Sequence, residues 1–207
     1  MPDLEHEWAG LWERIGAKGE YVGGVYTILY GRYSEPHRKF HNLQHIEHCL
    51  EEYMPVRRFL DYPDELEFAL WFHDIVYDTN AKDNEERSAE MAYDVAIGAG
   101  MSERFANRVY SLVMVTKHSS LPEVKDEQFM ADIDLSGMGR LEEEYDKVER
   151  AIREEYKEIP DGVFKPGRSA ILRRFLGRPH IYSTGFFRQK YEEQARRNME
   201  RAIVNLR

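Results

Sequence analysis

The chain has 207 residues, enough to bury one full core, and neither a repeat nor a long linker divides it, so a single domain spanning 1–207 is expected. Lys and Arg number 29 against 38 Asp and Glu, a net charge of −9, which argues against a general nucleic-acid or membrane surface but leaves room for local basic groups that bind one small phosphate. The lone Cys49 cannot form an internal disulfide, the polar opening Met-Pro-Asp-Leu-Glu is unlike a secretion signal, and no apolar run nears the roughly 20 residues of a membrane span, so a reducing, cytoplasmic setting is expected.

Between Asp3 and Lys18, Leu4, Trp8, Leu11, Trp12 and Ile15 recur at three and four, with Asp3 placed to cap a helix that has one apolar face. Glu20 to Tyr33 continues as helix on Val22, Val25, Tyr26, Leu29 and Tyr30, although Gly23 and Gly24 weaken its start. Ser34 to Lys39 is a Pro-broken loop whose His37, Arg38 and Lys39 suit a segment lying over a pocket. From His41 to Leu60 a helix is expected, with His41, His45 and His48 on one face. Pro63-Asp64-Glu65 starts the next helix, and its nearly continuous apolar body from Leu66 to Phe72 marks it as central. It runs into His73-Asp74-Ile-Val-Tyr-Asp78-Thr79. A carboxylate in so apolar a stretch is costly unless paired or bound to a cation, so the alternatives are a histidine bonded to its neighbours and a metal site.

After the Asn80–Asn84 loop, Glu85 to Gly100 is helical and closes at its glycines; Glu85 and Glu86 either cap it or reach a water near the site. Ser102 to Lys117 is a helix whose end, Lys117-His118, either satisfies the helix dipole or borders the site. Asp126 to Met138 carries Asp132 and Asp134, which point about 200° apart on a helix, so the two cannot readily serve one ion. Arg140 to Ile159 reads as a charged, solvated surface helix with Leu141, Tyr145, Val148, Ile152 and Tyr156 inward. Pro160-Asp161-Gly162 is a turn, and Val163 to Arg168 an irregular segment that restarts a helix through Ile171 and Phe175. Arg168 would meet a phosphate only if that segment folds back over the site, and otherwise pairs at the surface. Phe186 to Arg207 closes the chain as an amphipathic helix with Phe187, Tyr191, Ala195, Met199, Ala202 and Leu206 inward. No stretch alternates convincingly, so the expected class is an all-α bundle.

The motifs together are His41-Asn-Leu-Gln-His45, His73-Asp74 and Asp132-Ile-Asp134, in the order His, His-Asp, Asp. Two imidazoles and two carboxylates suit Mn, Fe, Co, Ni or Zn as a divalent ion, and a set without thiolate argues against a closed structural zinc. This order resembles the HD superfamily of metal-dependent phosphohydrolases. Phe40-His-Asn-Leu-Gln-His45 and Ile133-Asp-Leu-Ser136 are similar to segments of cyclic-nucleotide phosphodiesterases, and His73 to Thr79 is similar to the run of guanosine tetraphosphate hydrolases, with Tyr77 standing where those carry Glu. Almost the whole chain, including Asp83 to Ala89, Pro166-Gly-Arg168 and Ala195 to Asn198, is similar to a bacterial group of predicted HD hydrolases.

The resemblance implies a single HD-type helical bundle with a metal-site core at about 34–140 and C-terminal helices 140–207 packed on it. It implies one divalent ion on His45, His73, Asp74 and Asp134, with a second ion allowed, and a proton donor at His41. Asp78, four residues after Asp74, is expected to orient or deprotonate the attacking water if the helix continues that far. Arg38, Lys117 and His118 are expected at the substrate, with Asp132 and Glu85 behind the ligands. The implied activity is hydrolysis of a small phosphate ester or anhydride, a nucleotide first; removal of a 3′-pyrophosphate from a guanine nucleotide and metal-dependent nucleotide sensing without turnover are the alternatives. Neither nucleic acid nor membrane is expected as a partner, and a homodimer is allowed.

Overall fold

In a computed structural model, which describes residues 3–17 and 20–206, ten α-helices and two short 3₁₀ turns carry the chain, with no strand among the described residues. The helices are α1 (Leu4–Arg14), α2 (Glu20–Tyr33), α3 (Leu43–Tyr53), α4 (Pro63–Phe72), α5 (Asn84–Gly98), α6 (Glu103–Val115), α7 (Lys125–Leu135), α8 (Glu142–Glu155), α9 (Asp161–Leu176) and α10 (Gly185–Asn205). Four begin where polar side chains accept orphan N–H groups: Asp3 from His6, Asn42 from Gln44, Ser102 from Phe105 and Thr184 from Phe187. The expected all-α class holds.

Helix α4 is the axis of the bundle. Leu66, Phe68, Ala69, Leu70, Trp71 and Phe72 are all buried, and α1, α3, α5, α6 and α7 pack around them. Each large side chain so buried stabilises by roughly 1.5–3 kcal/mol. Trp8 and Trp12 of α1 close one side against Phe68, and the Trp8 indole donates to the Val22 carbonyl at 3.0 Å. Two acids on α4, Glu65 and Glu67, are tolerated there because Arg108 and Arg14 pair with them.

Several boundaries differ from expectation. The expected end of the first helix at Lys18 lies outside the described residues. Helix α3 starts at Leu43, capped by Asn42, and stops at Tyr53, because Pro55 has no N–H with which to continue the ladder; Arg57–Phe59 is a separate 3₁₀ turn. Helix α4 ends at Phe72, so His73 to Thr79 is not helical. Val163 to Arg168 is not irregular: α9 begins at Asp161 and runs through Pro166. The bond lost at Pro166 falls in the second turn, where burial of Phe164, Leu172 and Phe175 offsets it.

Helix α8 is not a plain surface helix. Tyr145, Val148, Ile152 and the carboxylate of Glu155 are buried, whereas Leu141, expected inward, is 77 % exposed just before the helix. Val148, Ile152 and Phe164 form an apolar cluster apart from the main core, joined by Phe40, Tyr156 and Ile159. Helix α10 lies on the Ser136–Gly139 turn and on α9, with the buried Asn198 amide donating to the Met138 and Arg140 carbonyls. Gly139 is required there, since a Cβ would sit 2.4 Å from Tyr191.

Candidate metal centre

Three elements meet at the centre. The Asn42 cap starts α3 so that His45 falls in its first turn with its ring inward, α4 delivers His73 at its C-terminus and Asp74 just beyond, and the last turn of α7 supplies Asp134. The His45 and His73 Nε2 atoms are 3.0 Å apart. Asp74 Oδ2 lies 3.5 Å from His45 Nε2 and 3.1 Å from His73 Nε2, and Asp134 Oδ1 lies 3.3 and 3.6 Å from the same two atoms. Ligands about 2.1–2.2 Å from one ion stand roughly 3.0–3.6 Å apart in octahedral or tetrahedral arrangement, so all five separations fit a shared cation.

Two of the donors, His73 and Asp134, are held by partners that leave the inward atom free. His73 Nδ1 donates to the Leu70 carbonyl at 2.8 Å, which leaves a lone pair on Nε2. Asp134 Oδ2 meets His118 Nε2 at 2.8 Å, which leaves Oδ1 toward the centre. Burial opposes every charge in the cluster, yet Asp74 and then Asp134 hold the His73 imidazole well above its usual range. For Asp134, His118, His45 and His73 outweigh burial and hold the carboxyl well below its usual range. Two facing imidazole nitrogens between two carboxylates need a shared positive charge, and the donor chemistry fits a divalent ion.

Sequence reasoning missed a neighbour, Cys49. His45, Cys49 and His73 form a buried group whose ligand atoms all lie within 4.8 Å of one another, a set able to hold a metal ion. The thiol follows His45 by four residues on α3, and that spacing was the available signal. Burial, then Asp134 and Asp74, push its pKa far up.

His41 stands at the edge of the centre, stacked on Tyr77 with ring centroids 4.2 Å apart. Its Nδ1 is 2.7 Å from Glu155 Oε2. The same carboxylate accepts from the Tyr77 hydroxyl at 2.9 Å and, through Oε1, from the backbone N–H groups of Lys39, Phe40 and His41 at 2.8, 2.8 and 2.9 Å. Burial raises the Glu155 carboxyl, but the bonds from His41 and the backbone outweigh it and hold it at about 2. Burial pushes His41 down, while Asp74 and then Glu155 pull it above its usual range. Glu155 was missed in the sequence because α8 reads as a charged helix. Its signal is position: 145, 148, 152 and 155 make one inward stripe, and a Glu on such a stripe requires partners.

Other expected site residues lie elsewhere. Asp78 is exposed and accepts from Asn80 N–H at 2.9 Å; because α4 has ended, four-residue spacing does not bring it beside Asp74, and it faces a separate pocket of about 340 Å³ with His37 and Thr79. Arg38 does not face substrate. Its side chain is 1 % exposed and donates to Glu35 Oε2 at 3.0 Å, to the Asp74 carbonyl at 2.6 Å and to the Ile75 carbonyl at 2.8 Å, which fixes the segment leaving α4. Asp132 is fully buried on the opposite face of α7 and accepts from Ser183 and Thr184 N–H, both at 2.7 Å, so it secures the start of α10 instead of standing behind the ligands. His48 bonds Ser136 Oγ at 2.8 Å.

Lys117, His118 and Glu85 do reach the site, lining a cavity of about 640 Å³ that opens from His41, Asp74 and Asp134. Lys117 is ion-paired with Glu86. His118, at φ 51°, is the only non-glycine in the left-handed region among the described residues, a conformation held by the Asp134 contact and by Arg178 donating to its carbonyl at 2.8 Å. Helix α9 folds over this cavity, and Arg168 lines it, but both Glu149 oxygens engage its guanidinium, at 2.6 and 3.2 Å. No helix among the described residues is long and apolar enough to cross a membrane. Comparison of the chain with protein-family models, with curated proteins and with solved structures found no match.

Proposed function

We propose that this chain is a metal-dependent phosphohydrolase acting on a small phosphate ester or anhydride. The observation that carries the reading is the convergence of His45, His73, Asp74 and Asp134 at 3.0–3.6 Å, with Asp74 and Asp134 on the floor of an open cavity and His41 beside them. The resemblance of the motif order to the HD superfamily supports the same reading. A divalent ion held by these four residues supplies a Lewis acid that offsets phosphoryl charge and acidifies water.

The chain's own groups do the rest. Arg38 holds the Asp74 and Ile75 carbonyls and with them the direction of the Asp74 side chain. His118 keeps Asp134 oriented, so that one of its oxygens stays available. His41 with Nδ1–H donated to Glu155 keeps Nε2 for proton exchange, and an imidazolium there protonates the leaving oxygen while the buried carboxylate compensates its charge. Lys117 places a cation at the wall, neutralised in part by Glu86. The Tyr77 phenol takes up the space beside His41 and points its hydroxyl to Glu155, an arrangement that serves proton transfer at His41.

The test combines metal content with turnover. The parent chain, loaded with Mn²⁺ and desalted, should retain about one ion and hydrolyse at least one member of a panel of nucleotides, sugar phosphates and aryl phosphates. His73→Ala and Asp134→Ala should lose both properties. Retention of the ion by either variant sinks the ligand assignment, and an inactive, fully loaded parent sinks the hydrolase.

A further inference from the structure

The cavity over the centre has two unlike halves. One is the polar floor described above. The other, formed by α8 and α9, is walled by Val148, Ile152, Tyr156, Phe164 and Ile171, side chains that belong mostly to the apolar cluster set apart from the main core. At about 640 Å³ the space is far larger than a phosphate needs and falls in the range of pockets that enclose a drug-sized ligand.

Few polar side chains line this half. Both Glu149 oxygens serve Arg168, and Arg174 lies exposed at the mouth against the Phe175 ring. The Tyr145 hydroxyl is buried behind this wall beside Glu149 and is not presented to the cavity. A nucleobase laid against Val148, Ile152, Phe164 and Ile171 would leave several polar edge atoms facing hydrocarbon, and each unmet atom carries a desolvation penalty.

We propose that the α8–α9 half of the cavity binds the organic part of the substrate, and that this part is a compact aromatic or branched aliphatic group, not a nucleoside or a sugar. The proposal rests on the phosphohydrolase reading for the polar half of the same site. The substrate class is thus a phosphate ester whose alcohol is apolar, oriented with its phosphate at the His41 end and its hydrocarbon body against Ile152 and Phe164.

Calorimetric binding to the full chain loaded with Mn²⁺ tests this, with 1-naphthyl phosphate, inorganic phosphate and adenosine monophosphate as probes. 1-Naphthyl phosphate should bind roughly tenfold more tightly than either of the others. Ile171→Asp and Val163→Asp, both at positions exposed enough to leave the fold intact, should remove that advantage and leave inorganic phosphate binding unchanged. Adenosine monophosphate binding as tightly as 1-naphthyl phosphate overturns the proposal, as does an advantage that survives both substitutions. Turnover measured in parallel separates the two readings. Naphthyl phosphate bound through Ile171 but never hydrolysed with any of the five metals supports the apolar half and sinks the hydrolase, whereas hydrolysis of small phosphates without the naphthyl preference does the reverse.

Discussion

Glu155 gathers five donors on one carboxylate: three backbone N–H groups, the His41 ring and the Tyr77 hydroxyl. Replacing it by Gln keeps the shape and removes the charge that compensates an imidazolium. Glu155→Gln should therefore retain its metal yet lose turnover by roughly 10²-fold, the usual scale for proton-transfer groups. Unchanged kcat would leave His41 without a catalytic part. The carboxyl's folded pKa, about 2, lies below its ordinary 4.5, so its stabilisation is present above about pH 4.5 and is lost as pH falls through 2. The difference corresponds to roughly 3 kcal/mol, and urea melts of the parent at pH 7 and pH 3 should differ more than those of Glu155→Gln. Arg38 carries an opposite lesson. As a phosphate ligand its loss would have raised KM alone; as the clamp on two carbonyls, Arg38→Lys should cost roughly 2–4 kcal/mol of stability and weaken metal retention. A variant of parental stability and metal content, with only KM altered, would restore the substrate role.

Helix α7 shows how element geometry assigns neighbouring acids to different tasks. Asp132 and Asp134, two residues apart, leave the helix on opposite sides, one to the Ser183 and Thr184 amides and the other to His118 and the candidate metal centre. The two substitutions should separate cleanly. Asp132→Ala should lower stability by roughly 2–3 kcal/mol with metal content intact, while Asp134→Ala should abolish metal retention. Metal analysis and chemical unfolding on both variants decide it, and a metal-free Asp132→Ala of parental stability would exchange their roles. That the two acids part was legible from helical spacing, whereas the preference for Asp134 came from the resemblance of Ile133-Asp-Leu-Ser136 to phosphodiesterase segments, and nothing in α7 alone reveals that Asp132 faces two amides 51 and 52 residues away. The end of α4 was not legible either. Its terminus is fixed by Arg38 reaching back from the preceding loop to take carbonyls, a tertiary contact without local signature, and the reasoning that placed Asp78 beside Asp74 failed there.

At the scale of the whole molecule, helical periodicity and the apolar run from Leu66 to Phe72 made the all-α class and the central position of α4 legible, because both follow from local pattern. Which face of α8 and α9 turns back toward the centre depends on packing between distant segments, and it was not. The four proposed ligands come from α3, the end of α4 and α7, so a bound ion would tie together elements that the chain joins only through long connections. Without a cation the cluster must keep two carboxylates and two imidazoles buried on shared protons, which burial itself disfavours. Metal should therefore stabilise the folded chain as a ligand that binds only that state: at free metal one hundred times Kd the gain is about 2.7 kcal/mol. For a domain of this size that corresponds to a rise in Tm of roughly 5–10 °C. Differential scanning calorimetry with excess Mn²⁺ and after chelation should show the shift in the parent. His45→Ala should show none, because it removes a ligand yet leaves the surrounding helices in place. An equal shift in parent and variant would mean that the stabilising ion binds elsewhere, on the acidic surface.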